Sequence, residues 1–153
     1  MISSETGRPR TLVPAEENQR IARALIEWLN ECPYKPVEKV DFEYLPKDDE
    51  GLMVSTIQAA YKLRQYILGG YQAQYQFKIV YRTQPGTRSE RLECDEALEQ
   101  IGAWAEENKA GLKIGDSARV VSIRMDSNSS LFAAYDDGSR DHQILMNLIY
   151  EVL

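Results

Sequence analysis

The sequence predicts an α+β domain in which two amphipathic helices pack on a mostly antiparallel, twisted sheet. Two observations lead to this prediction. Apolar residues recur at steps of three and four in two segments, whereas most other apolar segments alternate with polar residues or are apolar on both sides. The resulting order is helix, about four strands, helix and three strands. Runs of strands separated by only two helices are typical of α+β folds.

Length and composition are those of one globular domain. The chain has 153 residues, of which 43% are hydrophobic and 27% charged, so it can bury a core without disulfides or metals. We assign residues 14–153 to this domain and interpret the polar residues 1–13, which lack the apolar segment of an export signal, as a flexible arm. Because no apolar run approaches the roughly 18–20 residues that span a bilayer, we expect a cytoplasmic protein with no membrane partner.

Charge and cysteine content argue against nucleic-acid and zinc binding. The net charge is −6 and no basic face is visible, so we expect no direct contact with nucleic acid. Cys32 and Cys94 are the only cysteines, and neither belongs to a C-x-x-C pair, so neither a disulfide framework nor a zinc site is predicted. Each lies on the apolar stripe of a predicted helix, where a free cysteine packs as a small buried hydrophobe.

The two helices are predicted from Pro14 to Glu31 and from Glu90 to Asn108. The first ends before Pro33, because the residue preceding a proline is disfavoured in the helical conformation. Acidic residues lie outside the stripe of the second helix, and we expect them to keep its outer face in water. A carboxylate metal site there is disfavoured, because neither a histidine nor a second acidic helix accompanies it. The stripes are Ile21, Ala22, Leu25, Trp28, Leu29 and Cys32, and then Cys94, Ala97, Leu98, Ile101, Trp104 and Ala105.

Strands are predicted between the helices. The segment from Val37 to Leu45 alternates apolar and polar residues, with one side in water. The segment from Leu52 to Leu68 fits a strand or a short helix, and we favour a strand because Gly69-Gly70 is a two-residue hairpin signal. Between these two segments, the acids Asp48, Asp49 and Glu50 lack the D-x-D-x-D-G spacing of a calcium loop, so we expect a solvated turn. The apolar side of the first segment is formed by Val40, Phe42 and Tyr44.

The clearest strand is YQAQYQFKIVYR, from Tyr71 to Arg82. Its aromatic side is expected in the core, since tyrosine and phenylalanine are common in half-buried strands. A base-stacking platform is disfavoured, because the opposite side carries glutamines more than arginines and lysines. We expect this glutamine side to be covered by another subunit. The core side is Tyr71, Ala73, Tyr75, Phe77, Ile79 and Tyr81, and the glutamine side includes Gln72, Gln74 and Gln76.

Three strands follow the second helix, at residues 118–126, 131–135 and 142–153. The last is apolar on both sides, which predicts a central strand or one covered by a partner. One side is formed by Ile144, Met146, Leu148, Tyr150 and Val152, and the other by Leu145, Ile149 and Leu153.

Acids and the only histidine of the chain cluster in the stretch DDGSRDH. Asp136 to Ser139 falls between two strands and contains Asp-Gly, a strong hairpin signal, so we predict a turn. Asp141 and His142 then point to opposite faces of a strand and are poorly placed to bind one metal, although Asp136 or Asp137 is a candidate hydrogen-bond partner of His142. Phosphate-binding, zinc-protease and nucleophile-elbow motifs are missing. We therefore predict no catalytic, cofactor-binding or metal-binding residues and no enzyme activity.

Three stretches resemble the minor capsid proteins of tailed phages and prophages of Gram-positive bacteria. They are GGYQAQYQFKIVYRTQ (69–84), LECDEALEQIGAWAEEN (92–108) and YDDGSRDHQILMNLIYEV (135–152). The order of elements is also similar to that of siphophage tail terminators, which form hexameric rings that cap the tail tube. The family offers no signature residues to assign to positions in this chain.

This resemblance implies a structural virion protein without catalysis. The implied assembly is a homo-oligomeric ring, a hexamer, that contacts the tail-tube protein and the head–tail connector proteins. The implied location is the head–tail junction of the virion, with the free chain in the host cytoplasm before assembly. A ring subunit buries two different patches against its neighbours and is expected to expose apolar surface on strand faces and loop tips.

A monomeric binding module is the alternative from another class. Such a domain would bind a small ligand or a regulatory protein in a cleft beside the aromatic strand. It predicts a roomy pocket lined by Tyr71, Tyr75 or Tyr81, with convergent polar groups.

Overall fold

The computed structural model describes residues 11–47, 49–84 and 91–153. Within these ranges the fold is α+β, as the sequence predicts, with two α-helices on a seven-stranded sheet. The elements are β1 (Thr11–Leu12), α1 (Ala15–Leu29), β2 (Val40–Phe42), β3 (Gly51–Gln65), β4 (Tyr71–Thr83), α2 (Arg91–Glu107), a 3-10 turn (Lys109–Gly111), β5 (Ala118–Met125), β6 (Ser130–Ala134) and β7 (Arg140–Val152).

The sheet has the order β1-β3-β4-β7-β5, with β2 also paired to β3 and β6 also paired to β7. Every pairing is antiparallel except that of β2 with β3, which is parallel. Strand β7 pairs with β4, β5 and β6, so the prediction of a central strand is confirmed. The predicted count of about four strands between the helices is wrong, because the described chain has three there and β1 precedes α1.

Both described helices pack on one face of the sheet, which we call the inner face. The predicted apolar sides of β4 and β7 form that face, and the core lies between it and the helix stripes. The helices also contact each other: the Trp28 and Trp104 ring centroids are 5.1 Å apart, and Trp28 Nε1 donates to the Asn108 carbonyl at 3.0 Å. The largest fully buried side chains include Tyr75, Tyr150, Phe77, Ile21, Leu25, Leu98 and Ile144.

Strand β2 is shorter than the predicted segment 37–45. Glu43 follows it with a φ of 51°, a conformation that side chains other than glycine rarely adopt, and this ends the extended backbone. Val40 is buried and Phe42 packs against the core, but Tyr44 is exposed, contrary to its predicted inward side. The alternation of apolar and polar residues in the sequence therefore continues past the end of the strand.

The end of α1 also differs from the prediction. The helix stops at Leu29, so Cys32 lies in the following turn and not on the helical stripe, although it is buried as expected. The Asn30 side chain fixes this end by accepting the Val40 N–H (2.9 Å) and donating to the Val40 and Ile26 carbonyls. Burial raises the pKa of the Cys32 thiol, and burial raises that of Cys94 on α2 as well.

The start of the domain lies slightly before the predicted boundary. Residues 1–10 of the predicted arm are outside the described residues. Thr11 and Leu12 pair with Lys62 and Tyr61 of β3, and Val13 is buried. The last three residues assigned to the arm therefore belong to the fold.

The hairpin between β3 and β4 confirms the strand prediction for the uncertain segment. Its loop spans residues 66–70, longer than the predicted two-residue turn, and the Tyr66 N–H donates to the Gly70 carbonyl at 3.0 Å. Gly69 and Gly70 both have positive φ, of 98° and 81°, as the hairpin signal requires. A Cβ on Gly70 would also lie 2.3 Å from the Val152 carbonyl oxygen. Both the positive φ and this close approach therefore require glycine at position 70.

Candidate interaction surface

The acidic stretch near the C-terminus is a turn, as predicted. Residues 135–139 connect β6 to β7, Gly138 has a φ of 92°, and the Tyr135 N–H donates to the Ser139 carbonyl at 2.9 Å. Asp137 Oδ1 accepts both the N–H and the hydroxyl of Ser139, at 2.9 and 2.6 Å. These hydrogen bonds lower the pKa of Asp137, because they stabilise the carboxylate.

Asp141 and His142 point to opposite faces of the sheet, which confirms the alternation argument. His142 is fully buried on the inner face, and its Nδ1 lies 3.0 Å from Asp95 Oδ1 of α2. The histidine partner is thus an acid of α2, and neither Asp136 nor Asp137. Among the described residues the buried His142 Nε2 has no hydrogen-bond partner. The imidazole therefore links β7 to α2 beneath the sheet.

Three acids of α2, which were expected only to face water, instead accept hydrogen bonds from other parts of the chain. Asp95 Oδ1 accepts the Ser129 hydroxyl (2.8 Å), and Glu99 accepts the Ser129 N–H (3.2 Å). Glu106 accepts the Met125 N–H at 2.9 Å. Together they attach α2 to the end of β5 and the turn after it. The signal in the sequence was spacing, because steps of four and seven place the three acids along one side of a helix.

Part of the loop before β3 also has a structural role. Asp48 lies outside the described residues. Asp49 is exposed, and its Oδ1 accepts the Glu50 N–H at 2.8 Å. Glu50, expected to be solvated, accepts the Tyr81 hydroxyl at 2.7 Å. In the described ranges no group of three or more histidine, cysteine, aspartate or glutamate side chains is placed to hold a metal ion.

Glu17 is a buried carboxylate that the sequence analysis did not single out. Only 7% of it is exposed, and it accepts the hydroxyls of Tyr71 (2.5 Å) and Tyr150. Burial, followed by the hydrogen bond to Glu17, raises the pKa of both tyrosines. The hydroxyls thus remain protonated donors, and Glu17 joins the first turn of α1 to β4 and β7.

The outer face of the sheet lies opposite the described helices. Its middle is the glutamine side of β4, flanked by the outward residues of β7. Most of these side chains are half-buried, and Val80 and Asn147 are buried. Apolar residues lie among the amides, so the face is neither a solvated polar surface nor a core. Its central residues are Gln72, Gln74, Gln76, Lys78 and Val80 from β4, and Gln143, Leu145, Asn147 and Ile149 from β7.

Two ion pairs lie at opposite ends of this outer face. Arg82 binds Asp141 in a bidentate pair with distances of 2.7 and 2.8 Å, and the Tyr135 hydroxyl donates to the same carboxylate at 2.6 Å. The pair with Asp141 raises the pKa of Arg82. At the other end Arg119 binds Glu151, which also accepts the Tyr66 hydroxyl. These networks order the margins of the face and leave its centre uncharged apart from Lys78.

The tip of the β3–β4 hairpin exposes two adjacent aliphatic side chains. Ile67 is 100% exposed and Leu68 is 99% exposed, whereas most large apolar residues of the described chain are buried or half-buried. Isolated apolar residues on a surface are common, but two neighbours at the end of a projecting hairpin form an apolar knob. We call these two residues the hairpin tip.

Comparison with known proteins leaves the resemblance to phage proteins as a prediction. The chain matches no protein-family model and no curated protein at a significant level. None of the described helices is long and apolar enough to cross a bilayer.

Proposed function

We propose that this chain is a structural virion protein, a tail terminator or minor capsid protein of a siphophage or prophage. It forms a ring, a hexamer, at the head–tail junction, where it contacts the tail-tube protein and the connector proteins. It acts through the shape of its surfaces and not through catalysis. The observation that carries the proposal is the outer face of the sheet, whose centre combines amide and apolar side chains with one charged residue, Lys78.

The outer face is suited to contact with protein. Interface centres are depleted of charged residues, and a glutamine surface can pair its amides with backbone or side chains of a partner. The hairpin tip provides a second, different apolar patch. A head-to-tail ring requires two unlike patches on each protomer, and the outer face and the hairpin tip are two such patches.

The titratable groups of the interior support a structural role. Glu17, Asp141 and the His142–Asp95 pair all join one element of the fold to another through hydrogen bonds. Catalytic acids and bases instead face a site that a substrate can enter.

The binding-module alternative has less support. The hydroxyls of Tyr71 and Tyr81 bond to carboxylates of the chain itself. Tyr75 lines a groove of about 180 Å³, which is smaller than the roughly 300–1,000 Å³ typical of ligand pockets.

Sedimentation velocity with and without the tail-tube protein of the same gene cluster tests the proposal. We expect the tube protein to promote a species of about 105 kDa, six times the 17.5 kDa chain mass, or a complex of that species with the tube. A chain that stays monomeric across the concentration range and does not cosediment with the tube would contradict the proposed function.

A further inference from the structure

The hairpin tip is an apolar knob without a recess on its own molecule. It follows β3, and a strand rises about 3.3 Å per residue, so the nine residue steps from Thr56 to Gln65 separate the tip from the middle of β3 by roughly 25–30 Å. The tip therefore cannot fold back onto the surface beside Thr56. Any contact it makes there must come from another molecule.

A small apolar groove lies beside Thr56, between α1 and the strands β2 and β3. It has a volume of about 180 Å³ and is lined mainly by carbon atoms. The lining includes Asn18, Ala22, Phe42, Thr56, Ala59 and Tyr75. A cavity of roughly 150 Å³ holds a benzene molecule, so this groove can accept a branched aliphatic side chain.

Most polar groups that line the groove are already bonded to the protein itself, and the Gln19 amide is the exception among the lining residues. The Thr56 and Tyr75 hydroxyls bond to each other at 2.6 Å, and Asn18 Oδ1 accepts the Ala60 N–H at 2.7 Å. A polar ligand would have to compete with these bonds, whereas an aliphatic side chain would leave them intact. The groove therefore selects an apolar occupant.

Charge beside the two surfaces is complementary. Arg64 is exposed at the end of β3, three residues before Ile67. Glu43 is exposed near the groove, close enough that its charge contributes to the raised pKa of Tyr75 after the larger effect of burial. A tip that enters the groove brings a positive side chain towards a negative one, which favours a second copy of this chain as the occupant.

We propose that the hairpin tip of one protomer docks into the groove between α1 and β3 of a second copy. The knob and the groove are different surfaces, so the contact is head-to-tail and repeats from one protomer to the next. This inference rests on the proposed ring function and names the contact that would build the ring. Leu68 enters the groove, and Arg64 lies near Glu43 of the neighbour.

Mixing two variants that each carry one added cysteine tests this contact directly. Leu68→Cys protein mixed with Ala59→Cys protein should form a disulfide heterodimer under mild oxidation, because a disulfide requires Cα atoms roughly 4.4–6.8 Å apart. Ala110→Cys is the matched control, since Ala110 is exposed but lies on the 3-10 turn away from the groove. Both native cysteines are buried, and the unmodified chain shows their background. A heterodimer yield no higher than that of the control would overturn the docking proposal.

Assembly of a tip variant separates this inference from the proposed function. Leu68→Asp should weaken self-association by about 30-fold or more, as loss of a central interface residue does. Leu92→Asp, at another exposed leucine, should have little effect. Rings that assemble normally with Leu68→Asp would refute the docking contact and leave the ring function standing. Heterodimers that form without any assembly on tail tubes would support the contact and refute the ring function.

Discussion

At the scale of single residues, Glu17 determines how the first turn of α1 meets the sheet. It lies in the first turn of the helix, where the helix dipole favours an acid. The dipole alone therefore explains an acidic residue at this position, and burial is not needed to explain it. Its burial and its two tyrosine donors depend on β4 and β7, which are far away in sequence. A local pattern therefore identifies the acid but not its partners.

Replacing Glu17 should destabilise the domain. Glu17→Ala leaves the buried Tyr150 hydroxyl and the partly buried Tyr71 hydroxyl without their acceptor, and an unsatisfied buried polar group costs about 1–3 kcal/mol. Urea denaturation should show this loss in the free energy of unfolding with an unchanged m-value. Glu16→Ala is the matched control, because Glu16 is its exposed neighbour. Equal losses of unfolding free energy in the two variants would show that the hydrogen bonds of Glu17 do not stabilise the fold.

The raised pKa values of the tyrosines predict a loss of stability at high pH. A tyrosine whose folded pKa lies above its unfolded value of about 10 stabilises the fold fully below pH 10. Above pH 10 the unfolded state releases its proton first, and stability falls by up to about 1.4 kcal/mol per pH unit for each such group. In urea titrations between pH 8 and 11, Tyr150→Phe should show a shallower decline than the unmodified chain. Parallel declines would contradict the role of Tyr150.

At the level of secondary-structure elements, the periodicity of apolar residues predicts which segments form helices and strands. Both helices and the strands after Gly51 are correct, because their side-chain patterns repeat over many residues. Strand β2 is overextended in the prediction, since the positive φ of Glu43 leaves no mark on the alternation. Strand β7 lies between β4 and the strands β5 and β6, as expected for a strand that carries apolar residues on both sides.

The contact between α2 and the end of β5 depends on Asp95. This acid accepts the Ser129 hydroxyl and is the partner of the buried His142. Asp95→Ala should lower the free energy of unfolding by about 2 kcal/mol, because it leaves the imidazole without a partner on either nitrogen among the described groups. Hydrogen exchange should show faster opening of residues 126–129. Glu96→Ala, at the exposed neighbouring acid, should change neither quantity, and matching effects would argue against this assignment.

At the scale of the whole molecule, the two faces of the sheet have separate roles. The inner face packs against the helices, whereas the proposed function assigns contact with other proteins to the outer face, with its glutamine centre. The glutamine side was predictable from one strand. The groove between α1 and β3 was not, because it is formed by residues from four elements whose spacing depends on the bulges in β3.

A charge in the centre of the outer face should hinder assembly without unfolding the monomer. Gln76→Glu places a carboxylate there, and its desolvation in an interface should outweigh the attraction of Lys78 on the same face and weaken assembly by about tenfold or more. The stability of the monomer should change by no more than about 0.5 kcal/mol, as for most surface substitutions. Gln100→Glu, on the exposed side of α2, is the control. Undiminished assembly of Gln76→Glu, measured by sedimentation velocity, would exclude the outer face from the interface.

Electron microscopy of tail tubes incubated with the purified chain would show whether the chain assembles into a ring at the tube end. If the chain acts by assembling through its surfaces, images should show a closed ring of six copies at one end of each tube, and the Gln76→Glu variant should give fewer capped tubes. Bare tube ends beside a chain that remains a 17.5 kDa monomer would contradict the claim.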